Sequence, residues 1–528
     1  MRALFGFLTS VLLLVATGPL HAQPRTVSGT VRAQADGAPL ADVTVRLRGA
    51  ITSVRTSAAG AFQIEVPAAS TDILVVSHPD YDVAEVELLG RTSVEIELRS
   101  NIRYNQYGVA VPRKPVAGEA RDGLLVFEAA DGSFKLWYDL RVQMDGGYFF
   151  GETLSPIGNG IEMRRARMAF KSEFARKWYA EIDMDFADSR ADLKDAYLQY
   201  TPTPGFDVRA GNFKEIFSIE QNTTSRYLTF LERPMVTRAM TPSRHVGFQA
   251  VYGRPYVLLA GGLHFQIVDG WEEVQIRKDN NSAFGADEGY SLTGKLVLMP
   301  FYHDTEKGLH LGAAASYRTP KTTDQIGTVR FDTRGISNIN RRKYLDTDRL
   351  QNVSSTVLTG LEGAAYYRNF RIQGEYNTAR VAYKDASLGK ENFQGFYVFG
   401  STMLFGGKYR YSTADGEFTQ PSLGRGWGDL ELAVRYEYLD LNSRKDGVMG
   451  GEGEGITVGV NFYPISNVKL SMNYGWVNHD RWANGRNRLP TGLDAQGNPT
   501  ANPLLIVTPE GKAGEDFSSF SFRVQVSF

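Results

Sequence analysis

The chain of 528 residues contains no cysteine. That excludes a disulfide framework, a thiolate metal site and a cysteine nucleophile. Net charge is also nearly absent, with 58 basic side chains against 59 acidic ones, so the strongly basic surface needed for bulk nucleic-acid binding is missing. Past the extreme N-terminus no apolar run approaches the roughly 20 residues that cross a bilayer as a helix. Histidines number only seven, with no His-Glu-x-x-His and no pair at metal-ligand spacing beside a carboxylate, which leaves no zinc site. The acidic run Asp183-Met184-Asp185-Phe186-Ala187-Asp188 with Asp192 lacks the ligand spacing and the glycine of a calcium loop. No nucleophile, base and orienting group fall together, so neither an enzymatic activity nor a cofactor is expected.

What the chain does contain divides into four parts. Met1-Arg2, an apolar stretch over residues 4–16 and Leu20-His21-Ala22 read as an export leader over residues 1–22. Residues 23–100 carry short alternating runs such as Val43-Thr44-Val45-Arg46-Leu47 and Phe62-Gln63-Ile64-Glu65-Val66, separated by turn residues, which predicts a small β-sandwich. Residues 101–131, with Pro112, Lys114 and Pro115 and no sustained period, read as a linker. Residues 132–528 are where the function is expected.

In that last part alternation becomes systematic. Phe520-Ser521-Phe522-Arg523-Val524-Gln525-Val526-Ser527-Phe528 puts apolar side chains on one face and polar ones on the other. The same parity recurs in Ala180-Glu181-Ile182-Asp183-Met184-Asp185-Phe186, Leu430-Glu431-Leu432-Ala433-Val434-Arg435-Tyr436-Glu437-Tyr438 and Val468-Lys469-Leu470-Ser471-Met472-Asn473-Tyr474. A lysine or arginine facing lipid at the bilayer midplane costs about 2–4 kcal/mol, whereas one facing a wet lumen costs little. The pattern therefore predicts an all-β, antiparallel transmembrane barrel of about 16 strands. Tight turns near residues 175–177, 202–205, 253–255, 368–369 and 464–467 alternate with long polar segments at 213–245, 266–289, 318–352 and 479–516. Short turns on one side and long loops on the other belong to such a barrel, with both termini periplasmic. Trp137, Tyr138, Tyr436, Tyr438, Tyr474 and Trp476 are expected in aromatic girdles at the lipid interfaces, while Tyr197 has the option of stacking in the lumen.

An anion leaving water needs fixed positive charge, and the arginine fork matches phosphate oxygens. The candidates are Arg164, Arg165, Arg167 and Lys171 on the second strand, with Lys214, Arg226, Arg233, Arg238 and Arg244 on or beside the segment 213–245. With Met168 and Phe170 toward lipid, parity turns Arg165 and Arg167 inward and Arg164 outward. The structural alternative is a cross-strand ladder in which Glu181, Asp183 and Asp185 neutralise the second-strand arginines. The near-zero net charge confines any anion preference to a few residues at one constriction.

Two family resemblances rest on particular motifs. Val27-Ser28-Gly29-Thr30-Val31, Gly37-Ala38-Pro39-Leu40-Ala41-Asp42-Val43 and Gly60-Ala61-Phe62 resemble the carboxypeptidase regulatory-like domain, departing from it at Ser57-Ala58-Ala59 and Asp80. Met163-Arg164-Arg165-Ala166-Arg167-Met168-Ala169-Phe170, Leu193-Lys194-Asp195-Ala196-Tyr197, Val208-Arg209-Ala210-Gly211-Asn212-Phe213-Lys214-Glu215 and Ser225-Arg226-Tyr227-Leu228-Thr229-Phe230-Leu231-Glu232-Arg233-Pro234 resemble the phosphate-selective porin O and P family. That second resemblance implies a sixteen-stranded, trimeric outer-membrane channel for small anions such as phosphate, surrounded by outer-membrane lipid, with its third long loop folded inward. It also implies Arg164, Arg165, Asp195 and Lys214 as pore contacts, and it leaves the N-terminal sandwich in the periplasm. The competing expectations are a barrel that anchors the envelope through the sandwich, and a barrel taking up uncharged or other solutes. A plugged transporter of about 22 strands does not fit into residues 132–528.

Overall fold

The structure, a computed structural model, describes residues 24–67, 72–112, 116–121, 124–151, 153–187, 189–265, 267–268, 288–323, 326–509 and 511–528. The expected leader and most of the segment 266–289 lie outside them. The chain divides into two units, residues 1–115 and 116–528.

The first unit contains a three-stranded sheet and a four-stranded sheet. In the first sheet Arg25–Ala33 lies between Ala61–Val66, antiparallel to it, and Ser93–Leu98, parallel to it. In the second, Thr44–Leu47 lies between Ser53–Arg55 and Ile73–His78, and Tyr81–Glu87 follows at the edge. Period-2 alternation does the sorting: Phe62, Ile64 and Val66 are buried while Ala61, Gln63 and Glu65 are exposed. One apolar cluster results, joining Val27, Val31, Val45, Leu74, Val76 and Ile96.

The second unit is a closed barrel of sixteen antiparallel strands. They are β1 (Phe134–Phe150), β2 (Gly160–Phe174), β3 (Trp178–Asp185), β4 (Asp192–Thr203), β5 (Phe206–Lys214), β6 (Arg244–Arg254), β7 (Val257–His264) and β8 (Ser291–Leu298), followed by β9 (Lys307–Arg318), β10 (Val353–Tyr367), β11 (Phe370–Tyr383), β12 (Glu391–Met403), β13 (Asp429–Ser443), β14 (Val448–Ile465), β15 (Val468–His479) and β16 (Phe517–Ser527). Closure is the pairing of β1 with β16, from Arg141↔Ser527 to Phe150↔Ser518. Closing the sheet leaves no barrel edge with unpaired backbone groups, the condition for crossing lipid with strands. A hairpin within the compositional linker, Val116–Arg121 with Leu124–Ala129, continues the same sheet by pairing with β1 at Lys135, Leu136 and Trp137.

Strand parity holds around the wall. On β16 Ser519, Ser521, Arg523 and Gln525 are buried inside, whereas Phe520 and Val524 are exposed outside. Trp137 departs from the girdle expectation. It shares the inward face of Asp139 and Arg141, because Leu136, Tyr138 and Leu140 take the outward one, and its ring lies 6.0 Å from that of Tyr179. Turns of a few residues follow β2, β4, β6, β10 and β14, and segments 215–243, 319–352 and 480–516 leave the opposite rim. One connection breaks the rule: residues 404–428 are a long segment on the turn side.

Candidate functional site

Inside the barrel a cavity of about 760 Å³ is bordered by the inner faces of β1 to β6, by the segment 215–243 and by residues 414–417. Eleven basic and nine acidic side chains line it. Both signs face one wet space, which strand alternation produces whenever charged positions fall on one parity.

The second-strand arginines reach it in two ways. Pairing of β1 with β2 shifts register between Gln143↔Arg165 and Met144↔Met163, so Arg164 is an extra residue in a β-bulge. A bulge breaks the period-2 rule locally and re-aims the side chain. The expectation that Arg164 points outward is thereby corrected: it enters the lumen and grips Glu232 in a fork, Nε to Oε1 at 2.6 Å and a terminal nitrogen to Oε2 at 3.2 Å. Arg165 and Arg167 face inward as parity requires. Arg165 donates to Gln143 at 2.7 Å, while Arg167 donates to Asp185 at 2.9 Å and lies 3.8 Å from Asp183. Lys171 bonds Asp139 at 2.9 Å with Glu181 at 3.7 Å, which completes the cross-strand ladder. A second bulge, between Asp183↔Asp195 and Met184↔Leu193, makes Lys194 the extra residue of β4.

Glu181, Asp183 and Asp195 bring ligand atoms within 4.8 Å of one another, the spacing of a metal group. Each also meets a cation: Glu181 meets Lys171, Asp183 meets Arg167, and Asp195 accepts from Nε of Arg244 at 3.1 Å and from one of its terminal nitrogens at 2.6 Å. Arg167 and Lys171 are shared with Asp185 and Asp139, so the three carboxylates belong to a wider ladder of alternating charge.

The remaining candidates sit on or beside the segment 215–243, whose backbone is bonded to inward-facing side chains of the barrel. Its short helices are α1 (Ile219–Asn222) and α2 (Met235–Met240). The amides at a helix start that lack an intrahelical partner donate to carboxylates. Glu362 of β10 takes the Ile219 amide at 2.7 Å, Glu375 of β11 takes the Glu220 amide at 2.8 Å, and Glu437 of β13 takes the Met235 amide at 2.5 Å. At the far end of α1 the free carbonyls are held by cations, with Lys214 donating to Asn222 at 2.9 Å and Arg233 to Glu220 at 2.8 Å and to Thr223 at 2.7 Å. Further along, Arg435 donates to the Glu232 carbonyl at 2.8 Å, Asn461 to Thr229 at 2.8 Å and Lys469 to Leu228 at 2.7 Å. Arg226 binds Asp139 and, at 3.3 Å, the carbonyl of Phe528. Arg238 donates to the Gly335 carbonyl at 3.0 Å, joining 215–243 to the segment 319–352.

Apolar contacts secure the same segments. Phe217, Phe230, Met235, Val236 and Ile336 join one buried cluster with Phe393, Phe399, Leu439 and Val477 of the wall. The wall makes room with glycine: a Cβ on Gly395 would lie 2.9 Å from Val236, and one on Gly475 would collide with Ile336.

Sequence reasoning missed two contributors. Arg209 of β5 lies over the Tyr197 ring at 4.4 Å and donates to Gln199 at 2.8 Å, on the cavity face. The segment 404–428 also went unnoticed, although counting strands places it on the side of tight turns. Of the block read from the porin resemblance, the structure gathers Arg164, Arg165, Arg167, Asp195, Lys214, Arg226 and Arg233 around one cavity.

Family models match both parts of the chain. The model of the carboxypeptidase regulatory-like domain matches residues 26–101. An uncharacterized protein of Caulobacter vibrioides is 29% identical over 379 residues, covering 70% of this chain and 74% of that protein. Among solved structures, an anion-selective porin from Comamonas acidovorans aligns with a TM-score of 0.46 at 10% identity, over 75% of this chain and 100% of that one. The outer membrane channel DcaP of Acinetobacter baumannii aligns with a TM-score of 0.44 at 11% identity, over 76% and 99%. The model of the phosphate-selective porin O and P family matches residues 137–496, nearly the whole barrel, and the chain belongs to that family of outer-membrane porins.

Proposed function

We propose that the barrel is a passive diffusion channel for small anions, phosphate among them, and that the segment 215–243 is the inward-folded loop that narrows it. The observation that carries the reading is that Arg165, Arg209, Lys214 and Arg233 border the cavity with no ion pair to a carboxylate among the described residues. Their hydrogen bonds go to neutral amide oxygens, which leaves the positive charge available to a solute. The other lumen arginines are balanced by the carboxylate ladder and contribute little net field. Permeation then follows from pore width and several weak contacts that bind an ion without retaining it. The long segments 215–243, 319–352 and 480–516 are extracellular in this reading, and the N-terminal unit is periplasmic. Three barrels assemble as a trimer, as the family implies.

Planar bilayers containing the purified protein test this directly. Under a KCl gradient the reversal potential is expected on the chloride side. A cation-selective wild type overturns the anion reading, and a protein with no conductance leaves an envelope-anchoring barrel as the better account.

A further inference from the structure

The turn-side segment 404–428 enters the lumen and is pinned there at several points. Asp429 accepts the amides of Phe405 at 3.0 Å, Gly407 at 2.7 Å and Gly424 at 3.0 Å, so one carboxylate gathers both ends of the segment. Tyr409 donates to Ser401 at 2.6 Å or to Glu431 at 2.8 Å. Phe418 is 1% exposed and lies 3.8 Å below the guanidinium of Arg371, a desolvated cation–π contact. Between these anchors Tyr411–Ser412 and Glu417–Phe418 pair as a small antiparallel hairpin.

That hairpin meets the segment 215–243. Ile219 of α1 joins the apolar cluster of Tyr409 and Phe418. His310 links Glu362, which caps α1, to the Tyr411 hydroxyl. Two segments that leave the barrel from opposite rims therefore touch in its interior. At the contact Ala414, Asp415 and Glu417 border the charged cavity that Lys214 and Arg233 also line. Burial pushes the Glu417 carboxyl above the usual range, while Lys214, Arg233 and the Thr224 amide act to keep it ionised; it forms no ion pair with either cation among the described residues.

Resting on the channel reading above, we infer that Glu417 sets the selectivity of this pore: it is a tethered carboxylate, held by a rigid hairpin against Lys214 and Arg233, that competes with passing anions for those two cations. Its leverage comes from the balance of the lining. Basic side chains exceed acidic ones there by only two, eleven against nine with Glu417 counted, so neutralising this one carboxylate raises the excess to three. The short helix α1 presents its carbonyl end to Lys214 and Arg233, so the hydrogen bonds of both cations go to neutral carbonyls.

The test compares wild type, Glu417→Gln, Glu417→Ala and Asp415→Asn in planar bilayers under a KCl gradient. Asp415 lies on the same hairpin and accepts from Ser412 at 2.7 Å. Both Glu417 variants are expected to raise the anion-to-cation permeability ratio about threefold, the effect of one unit charge a few ångströms from an ion in a wet lumen. Asp415→Asn is expected to give less than half that shift. An unchanged or lowered ratio in Glu417→Gln overturns the inference, as does an equal shift in Asp415→Asn, which would mean lumen charge in general. Loss of conductance in both Glu417 variants alone also overturns it. Absence of conductance in wild type removes the channel reading and the inference together.

Discussion

Two sectors of one barrel wall use the same alternation differently. Between β1 and β5 the inward side chains, among them Arg165, Arg167, Lys171, Asp195 and Arg209, border an open cavity. Between β10 and β15 the inward side chains are as charged, but Glu362, Glu375, Arg435, Glu437 and Lys469 are spent on the backbone of the segment 215–243. Their neighbours Phe393, Phe399 and Leu439 pack on its apolar residues. The difference teaches that a lumen-facing charge is not by itself part of a permeation path. What decides is whether a loop covers it and supplies a partner.

The largest expected effect breaks the covered sector. Arg435 and Glu437 are each 1% exposed and bonded at 2.9 Å. Arg435→Ala strips a buried carboxylate of its partner and releases the Glu232 carbonyl, so a loss of about 3 kcal/mol is expected in urea unfolding of the refolded barrel. A midpoint equal to wild type would remove the claim that this sector is held by wall charges. Next, Arg209→Glu in the open sector reverses a unit charge beside the path, and the anion-to-cation permeability ratio should fall about tenfold. A ratio that does not move would mean that ions pass elsewhere. Arg164→Met keeps the stem but loses the fork to Glu232, worth about 1.5–3 kcal/mol for charge-assisted bonds, and should speed amide hydrogen exchange within 215–243 while leaving β2 protected. The smallest effect sharpens the contrast from the other side: Lys469→Met, under the loop, should leave the permeability ratio within about 1.5-fold of wild type, because that charge is covered.

Much of this was readable in residue order. Sixteen strands, their lipid and lumen faces, and the inward position of Asp183, Asp185, Glu431, Arg435, Glu437 and Lys469 all follow from a period of two that the bilayer enforces. The ladder joining Arg167 and Lys171 to the carboxylates of β3 was also visible, since antiparallel neighbours joined by a tight turn have a predictable register. Arg164 was not, because a bulge adds one residue without a compositional mark and reverses parity for a single side chain. Nor were the roles of Lys214 and Arg233, whose partners are backbone carbonyls of α1, identical for every residue type. The segment 404–428 has the polar, glycine-containing composition of any loop, and only the strand count places it on the turn side.

Sequence by itself determined which side chains meet lipid and which meet water, since every midplane error in that choice costs kilocalories within a single strand. It also determined that any anion preference is local, because the whole chain is nearly neutral. Only the tertiary structure decided which inward charges remain available to a solute. That outcome depends on two segments, 215–243 and 404–428, which leave opposite rims and meet over residues far apart in the chain, where backbone amides, carbonyls and glycine gaps rather than side-chain patterns select the partners.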